Sequence, residues 1–342
     1  MEPWSIGPVT VYPFGAAVAV AAALAAVMTA AQMKKSGLKH GTASWFFLLA
    51  VPLAFIFARI GYCVSIIDII IGDEDWGMIL RAREGGFMLW GAIAGGLLAA
   101  WLTGKITGQK AGAVADNAVL AACLLISVGR LASGLMFRGV GTGLDIESWF
   151  DPYETDPALR YSLFAPEDFS FFERLPFAAL NYYDEWCWAV FVPEAVMAAL
   201  IAVPVSAARN TRPGGRCTLF ILLYAAGQIT LEACLRGDVL HLPWLGFVRI
   251  NQVLCAAALL AVWGVCVRGL PKGERKKSGA VSLIQVLLGA GIVVAMEFAA
   301  FEKKISAIET VPADVCHLIM LGACVWMALA LLPLWRKKYG NG

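Results

Sequence analysis

The sequence predicts an all-α polytopic membrane protein with about nine transmembrane helices. Of its 342 residues, 60% are hydrophobic and only 15% are charged, whereas soluble domains carry about 25% charged residues. The mean hydropathy is +0.72. Apolar runs of the length that a bilayer requires, about 20 residues, cover residues 12–33, 44–66, 86–104, 113–137, 188–208, 217–236, 248–268, 281–300 and 315–335.

Basic residues follow the first, third, fifth, seventh and ninth apolar runs. They are Lys34, Lys35, Lys39, Lys105, Lys110, Arg209, Arg212, Arg216, Arg268, Lys272, Arg275, Lys276, Lys277, Arg336, Lys337 and Lys338. With nine spans all of them lie on one side of the membrane. Because lysine and arginine are enriched in cytoplasmic loops, we expect the N-terminus outside and the C-terminus in the cytoplasm. Only Lys303 and Lys304 oppose this orientation weakly.

One outer connection, residues 139–187, is much longer than a turn and is rich in aromatic residues such as Trp149, Tyr153 and Trp186. Tryptophan and tyrosine favour the headgroup level of a membrane. We therefore expect this segment to form a cap on the outer leaflet. The alternative is an ordinary extracellular loop with incidental aromatic residues.

Four ionisable residues lie inside the predicted spans: Arg59, Arg130, Glu194 and Glu232. A charged side chain at the centre of a membrane helix costs about 2.5–3.5 kcal/mol on insertion scales, so such residues usually face partners or polar cavities. We expect the two arginines to face the two glutamates across one interior cavity. The alternative is a set of structural ion pairs that hold helices together.

Other polar residues share faces with these charges. On the sixth run, Gln228, Glu232 and Arg236 are four residues apart and therefore lie on one helix face. On the second run Tyr62 follows Arg59 by three residues, and on the fourth run Ser133 follows Arg130 by three residues, so each pair also shares a face. The additional candidates for substrate binding are Tyr62, Trp90, Ser133, Gly141, Tyr224, Gln228 and Arg236. Gly141 lies in a GxGxG segment that could cradle an anion, or could simply form a flexible turn.

A phospholipid headgroup fits this set of residues. The planar guanidinium of arginine matches phosphate oxygens better than the point charge of lysine does. We therefore predict that Arg130 binds the phosphate together with Arg59 or Arg236, and that the acyl chains run between helices. The sequence indicates no metal, no cofactor and no nucleic-acid partner.

At these residues the chain resembles the prolipoprotein diacylglyceryl transferase family, bacterial membrane enzymes that move diacylglyceryl from phosphatidylglycerol to a lipobox cysteine. The resemblance covers about the first 265 residues in order. It rests on IGPVTVYPFG, ARIGY, GGFMLWGAIAGG, VGRLASG, the Glu194 of VPEA, YAAGQITLE and INQVL. It implies the bacterial plasma membrane, phosphatidylglycerol as the lipid and a lipobox-bearing preprotein as the partner.

The resemblance also implies a division of the chain. Residues 1–268 would form a seven-helix core that includes the cap at 139–187. Residues 269–342 would form a basic cytoplasmic loop and two further transmembrane helices, beyond the seven-helix plan of the family.

Several positions depart from the family pattern. Trp90 stands where the family has a histidine, Gln228 where it has an arginine and Ser133 where it has an asparagine. Arg138 replaces a glutamate and Phe14 a tyrosine. Tryptophan donates one hydrogen bond but cannot act as a base. Glu232 or Glu194 is therefore the expected general base, and His241 is a candidate imidazole substitute unless it is only an interfacial loop residue.

These observations favour a divergent transferase that uses Arg130 to hold an anionic phospholipid and moves a diacylglyceryl or related lipid group to an acceptor. The alternative is a catalytically inactive lipid-binding or scaffold protein on the same fold. A transporter would show an inverted repeat or broken helices in matching halves, and the sequence shows no convincing internal repeat.

Overall fold

The computed structural model describes residues 4–6, 9–11, 13–81, 86–136, 178–180, 186–233, 241–242, 245–302 and 313–340, with side chains described for 14–81, 86–132, 189–233, 249–299 and 315–340. The helices are α1 (Pro13–Lys35), α2 (Thr42–Ser65), α3 (Ile67–Gly72), α4 (Leu89–Thr107), α5 (Ala111–Met136), α6 (Phe191–Ala207), α7 (Gly215–Ala233), α8 (Ile250–Arg268), α9 (Lys272–Glu302) and α10 (Ala313–Tyr339). A 3₁₀ helix covers Trp76–Leu80.

Three short antiparallel hairpins complete the described part of the chain. Strand β1 (Trp4–Ile6) pairs with β2 (Val9–Val11), β3 (Ala178–Leu180) with β4 (Trp186–Trp188), and β5 (His241–Leu242) with β6 (Leu245–Arg249). Each hairpin lies in a connection between helices or just before α1. The expected helical membrane architecture is therefore confirmed, with only these small hairpins added.

Among the described residues, 7 helices are long and apolar enough to cross a membrane: α1, α2, α4, α5, α8, α9 and α10. Helix α6 is apolar but has 17 residues, and α7 is not among the candidates. The count of nine spans is therefore not confirmed and stays a prediction. The cap expected at 139–187 lies almost entirely outside the described residues.

Helix α7 fails the hydropathy criterion for a physical reason. It lies against α5, α6, α8 and α10, and most of its side chains, including Leu222 and Tyr224, are buried in protein. A helix shielded by other helices does not need an apolar surface toward lipid. It can therefore carry the polar residues Gln228, Thr230 and Glu232 in the interior of the bundle.

The basic ends of the helices meet at one end of the bundle, which we call the basic end. Ser36, just after α1, donates to Asn117 at the start of α5 (2.7 Å). The Asp116 carboxylate accepts from the backbone amides of Gly214 and Cys217 (2.7 and 2.8 Å), which caps α7. Lys337 near the end of α10 pairs with Glu274 at the start of α9 (2.6 Å). The compartment that this end faces stays a prediction.

Helices α2 and α4 pack closely because glycine lies at their crossing. A Cβ added to Gly95 would lie 2.4 Å from the Leu53 carbonyl oxygen, whereas a Cβ on the adjacent Gly96 would meet nothing within 4 Å. We expect Gly95→Ala to lower the free energy of unfolding by about 1–3 kcal/mol, the usual cost of overpacking. Gly96→Ala is the matched control. Equal stability of the two variants, measured by unfolding in detergent micelles, would contradict this packing.

Candidate functional site

Polar side chains from three helices converge at the end of the bundle opposite the basic end. Arg130 lies in the last two turns of α5, Glu194 in the first turn of α6 and Glu232 in the last turn of α7. Glu194 and Glu232 are buried. The position of Glu194 at a helix N-terminus favours its negative charge, because the backbone N–H groups there carry partial positive charge.

Arg130 forms an ion pair with Glu194. Its Nε lies 3.1 Å from Glu194 Oε2, and the Arg130 side chain remains 33% exposed while that of Glu194 is 3% exposed. The Tyr224 side chain neighbours the same guanidinium. Glu194 therefore engages Arg130 while part of the arginine side chain remains exposed.

Gln228 bridges the two buried glutamates. Its Nε2 donates to Glu194 Oε1 at 2.6 Å and to Glu232 Oε2 at 3.2 Å, which uses both N–H groups of the amide. Its Oε1 is buried and has no hydrogen-bond partner within the described residues. A neutral amide at this position therefore holds two carboxylates together.

Sequence reasoning missed the residues that surround Glu232 from α8. Asn251 Nδ2 donates to Glu232 Oε1 at 2.9 Å. The Arg249 guanidinium donates to the backbone carbonyl oxygen of Glu232. The available signal was the polar group RINQ at the start of an apolar run, because polar side chains at a helix start are free to reach a neighbouring helix end.

Arg59 makes different contacts from those expected. Its guanidinium donates to backbone carbonyl oxygens of Met78, Ile79 (3.2 Å), Arg81 (3.3 Å) and Gly86 (3.0 Å). These carbonyls lie at and beyond the end of the 3₁₀ helix, where the backbone leaves acceptors unsatisfied. The described contacts of Arg59 therefore hold the segment between α2 and α4. That Arg59 faces Glu194 or Glu232 across a cavity stays a prediction.

Tyr62 lies in the same segment. The Arg59 guanidinium lies 5.5 Å from the centre of the Tyr62 ring, a distance typical of a cation–π contact. Gly86 has a φ of +78°, and a Cβ there would lie 2.3 Å from the Tyr62 ring. Close approach of the backbone to this ring therefore requires glycine.

An aromatic layer lies next to the Arg130–Glu194 pair, on the side toward the basic end. Trp90 on α4 packs edge-to-face on Tyr224 with ring centres 5.8 Å apart, and Tyr224 stacks on Phe220 at 5.5 Å. The Trp90 indole nitrogen is buried and lies beside the Cys255 thiol. Trp90 therefore forms a wall of the site.

An apolar cavity of about 310 Å³ continues from this layer toward the basic end. Its walls come from α1, α2, α4, α5 and α7 and include Ile126 and Phe220, one turn from Arg130 and Tyr224. On α5 the lining extends to Ala115, a span of roughly 16 Å at the helical rise of 1.5 Å per residue. A charged group and a long apolar cavity thus lie next to each other.

Several predicted site residues lie partly or wholly outside the described residues. Ser133 follows Arg130 by three residues on α5, but its side chain is outside them. The backbone of His241 pairs opposite Arg249 in the β5–β6 hairpin, and its side chain is likewise outside. Gly141 and Arg236 lie wholly outside the described residues. Within that described part no group of three or more histidine, cysteine, aspartate or glutamate side chains could hold a metal ion.

Fold and site together define a polytopic membrane protein in which a cluster of one arginine and two buried glutamates adjoins an apolar cavity between the helices. The sequence profile of prolipoprotein diacylglyceryl transferase matches residues 2–268, and the chain belongs to this family. The matched residues end before α9 and α10.

Individual relatives agree with this assignment. The chain is 24% identical over 286 residues to the phosphatidylglycerol–prolipoprotein diacylglyceryl transferase of Paenarthrobacter aurescens, covering 81% of this chain and 85% of the relative. It is 25% identical over 288 residues to that of Frankia alni, covering 82% and 70%. It is 29% identical over 222 residues to that of Gloeobacter violaceus, covering 63% and 71%.

Proposed function

We propose that this protein transfers the diacylglyceryl group of phosphatidylglycerol to the thiol of a lipobox cysteine. The observation that carries the proposal is the cluster of Arg130, Glu194, Gln228 and Glu232 beside the apolar cavity, in a chain of this family. The named activity of the relatives supports the same reaction. Trp90 and Gln228 replace a histidine and an arginine of the family pattern. These differences affect the proposed roles of the site residues and not the proposed reaction.

Arg130 is proposed to hold the lipid phosphate. A guanidinium carries five N–H donors in a planar fork, and Glu194 engages it through Nε. Five donors in one plane are enough for a guanidinium to contact a carboxylate and phosphate oxygens at the same time. Because Ile126 lies one turn from Arg130 and lines the cavity, an acyl chain of the same lipid can enter the cavity while its phosphate stays at Arg130.

Glu232 is proposed as the general base. Its carboxylate oxygens accept from the neutral amides of Gln228 and Asn251, whereas the Glu194 carboxylate contacts the positive charge of Arg130. Glu232 is therefore the better placed of the two to take the thiol proton. The sulfur then bonds to the glycerol carbon of the diacylglyceryl group, and the carbon–oxygen bond to phosphate breaks.

The electron pair of that bond stays on the departing glycerol phosphate. Stabilisation of such developing negative charge by fixed donors is a large catalytic contribution, and Arg130 is the cation next to the cluster. The proton that Glu232 takes from the thiol passes to the departing glycerol phosphate. The products are a thioether and protonated glycerol phosphate, and Glu232 is ionised again. Trp90 and Tyr224 are proposed to exclude water beside the phosphate, and the unpartnered Oε1 of Gln228 to accept from a headgroup hydroxyl.

The remaining predicted residues keep proposed roles. Ser133, Gly141 and Arg236 are proposed to contact the phosphate, and His241 to serve as an imidazole if the carboxylate is insufficient. Arg59 and Tyr62 are proposed to shape the entrance through the segment before α4, as their contacts support.

The proposal includes a membrane topology. Nine spans, with α6 and α7 crossing inside the bundle, put the basic end in the cytoplasm, the N-terminus outside and the C-terminus inside a bacterial plasma membrane. The transferase core would cover residues 1–268 with an outer cap at 139–187, and residues 269–342 would add a basic loop and two helices. The site then opens to the outer leaflet, where exported lipobox preproteins arrive.

The test is reconstitution of the purified protein with phosphatidylglycerol and a lipobox peptide, followed by mass spectrometry of the peptide. A thioether-linked diacylglyceryl peptide supports the transferase. Phospholipid binding without product, when the binding depends on Arg130, supports the inactive lipid-binding alternative. If neither binding nor product depends on Arg130, the site assignment is wrong.

Filling the cavity is expected to weaken lipid binding selectively. Ala122 lines the cavity on α5, so Ala122→Phe should occupy the space of an acyl chain and raise the KM for phosphatidylglycerol about tenfold or more, since several buried methylene groups at about 0.8 kcal/mol each lose their site. Turnover at saturating lipid should change much less. The control is Ala23→Phe, because Ala23 is exposed on α1 and outside the cavity lining. An unchanged KM in Ala122→Phe would contradict the assignment.

A further inference from the structure

Helix α9 lies beyond the residues matched by the family, yet it contributes a buried carboxylate close to the site. Glu297, near the end of α9, is 2% exposed. Its Oε1 accepts a hydrogen bond from Gln252 Nε2 at 2.7 Å. A buried carboxyl group is costly unless it has a hydrogen-bond partner, and Gln252 supplies one.

Gln252 connects three helices through one side chain. Its Nε2 donates to Glu297 on α9 and to the backbone carbonyl oxygen of Ile229 on α7 (3.3 Å), and its Oε1 accepts from the backbone N–H of Arg249 at the start of α8 (3.1 Å). The amide thus uses both donors and its acceptor. The orientation of Gln252 sets the start of α8 relative to α7.

The start of α8 in turn contacts the proposed general base. Arg249 donates to the backbone carbonyl oxygen of Glu232, and Asn251 donates to the Glu232 carboxylate at 2.9 Å. Arg249 also lies close enough to Glu297 for attraction between their charges. A continuous series of contacts therefore runs from Glu297 through Gln252 and residues 249–251 to Glu232.

We propose that Glu297 is a positioning residue of the transfer site. By fixing Gln252 it holds the start of α8 against the end of α7, and so sets the orientation of the Glu232 carboxylate. Helix α9 then contributes to the transfer site through Glu297, and the pair α9–α10 is not only an added membrane anchor. This inference rests on the proposed function, because Glu232 is the group that is positioned.

If Glu297 only attached α9–α10 to the core, another loss of attachment should lower kcat as much as loss of Glu297 does. The pair α9–α10 is also fastened to the core at the basic end, where Trp335 Nε1 donates to the Gly215 carbonyl oxygen at 2.8 Å. Trp335→Phe removes this buried hydrogen bond far from Glu232. It is therefore the matched control for loss of attachment without loss of positioning.

The experiment compares Glu297→Ala, Glu297→Gln and Trp335→Phe in the reconstituted protein. Because small displacements of catalytic groups cost large factors in rate, Glu297→Ala should lower kcat about tenfold or more. The KM for phosphatidylglycerol should stay within about twofold, since the change affects the chemical step and not lipid binding. Glu297→Gln, whose amide oxygen can still accept from Gln252, should recover most of the kcat.

Trp335→Phe should lower thermal stability while leaving kcat near the wild-type value. Three results would overturn the proposal: a wild-type kcat in Glu297→Ala, the same loss in Glu297→Gln as in Glu297→Ala, or the same loss of kcat in Trp335→Phe.

If the wild-type protein shows no transfer, the proposed function fails by itself. An experimentally determined structure of Glu297→Ala then decides the positioning. A displaced Gln252 side chain and loss of the contact between Arg249 and Glu232 support it, and unchanged positions of both overturn it.

Discussion

Arg130→Ala is expected to abolish diacylglyceryl transfer, with a loss of at least about 100-fold, the range found when one charge-stabilising donor is removed from an active site. The guanidinium pairs with Glu194 and borders the cavity, so its removal takes away the cation proposed for the lipid phosphate and leaves a buried carboxylate without it. Both lipid binding and turnover should fall, measured by thioether product over a range of phosphatidylglycerol concentrations.

The control for Arg130 is another arginine that contacts neighbouring helices. Arg216 lies at the basic end, where it donates to the Val205 carbonyl oxygen at 3.0 Å and to Gln32 at 3.2 Å. Lysine at either position keeps the charge but loses the planar fork. Arg130→Lys should lose most of the transfer and Arg216→Lys should retain it. Equal transfer by these two lysine variants would contradict a phosphate-binding role specific to Arg130.

Glu232→Gln is expected to lower kcat by about 100- to 10,000-fold, the usual contribution of a positioned general base. The glutamine keeps nearly the same shape but cannot take the thiol proton. Binding of phosphatidylglycerol should stay nearly unchanged because Arg130 and Glu194 remain paired. The measurement is the rate of peptide modification at saturating lipid, with lipid binding measured separately.

Two further glutamate variants sharpen this result. Glu194→Gln should weaken lipid binding as well as turnover, because it changes the partner of Arg130. Glu274→Gln at the basic end removes only an exposed ion pair with Lys337 and should leave transfer unchanged. A Glu232→Gln variant that keeps kcat within about tenfold of wild type would exclude Glu232 as the base.

Much of the architecture could be predicted because a bilayer imposes strong rules on sequence. Long apolar runs predict helices, and alternating basic connections predict that the helix ends segregate, as the contacts of Asp116 and Lys337 at the basic end support. The apolar run at 217–236 predicts helix α7, but the polar residues of this helix keep it out of the helices that are apolar enough to cross a membrane. Four neighbouring helices surround α7, and which helices these are could not be predicted from the sequence.

The sequence predicts those residues of the candidate site that are isolated charges in apolar runs. Arg130 and Glu194 each stand alone in an apolar run, and opposite charges in hydrocarbon tend to meet. Arg59 is likewise an isolated charge in an apolar run, but its described hydrogen bonds go to backbone carbonyl oxygens. These acceptors lie in and beyond a 3₁₀ helix that hydropathy does not predict, so these partners of Arg59 could not be predicted from the sequence.

The contribution of α8 and α9 was missed for a similar reason. Gln252 and Glu297 lie 45 residues apart, and no periodicity within either run connects them. Likewise, the resemblance to the family showed that Trp90 replaces a histidine, but only the packing of its ring on Tyr224 shows that this position has become a wall of the site.

The most direct measurement is an experimentally determined structure of the protein in lipid nanodiscs that contain phosphatidylglycerol. We expect a lipid phosphate oxygen at hydrogen-bond distance, about 2.7–3.2 Å, from an Arg130 guanidinium nitrogen. An acyl chain should lie in the cavity beside Phe220. The glycerol carbon that is transferred, which is bonded to a phosphate oxygen, should face Glu232. A phospholipid phosphate bound at other residues, with nothing but Glu194 at Arg130, would contradict the proposed site.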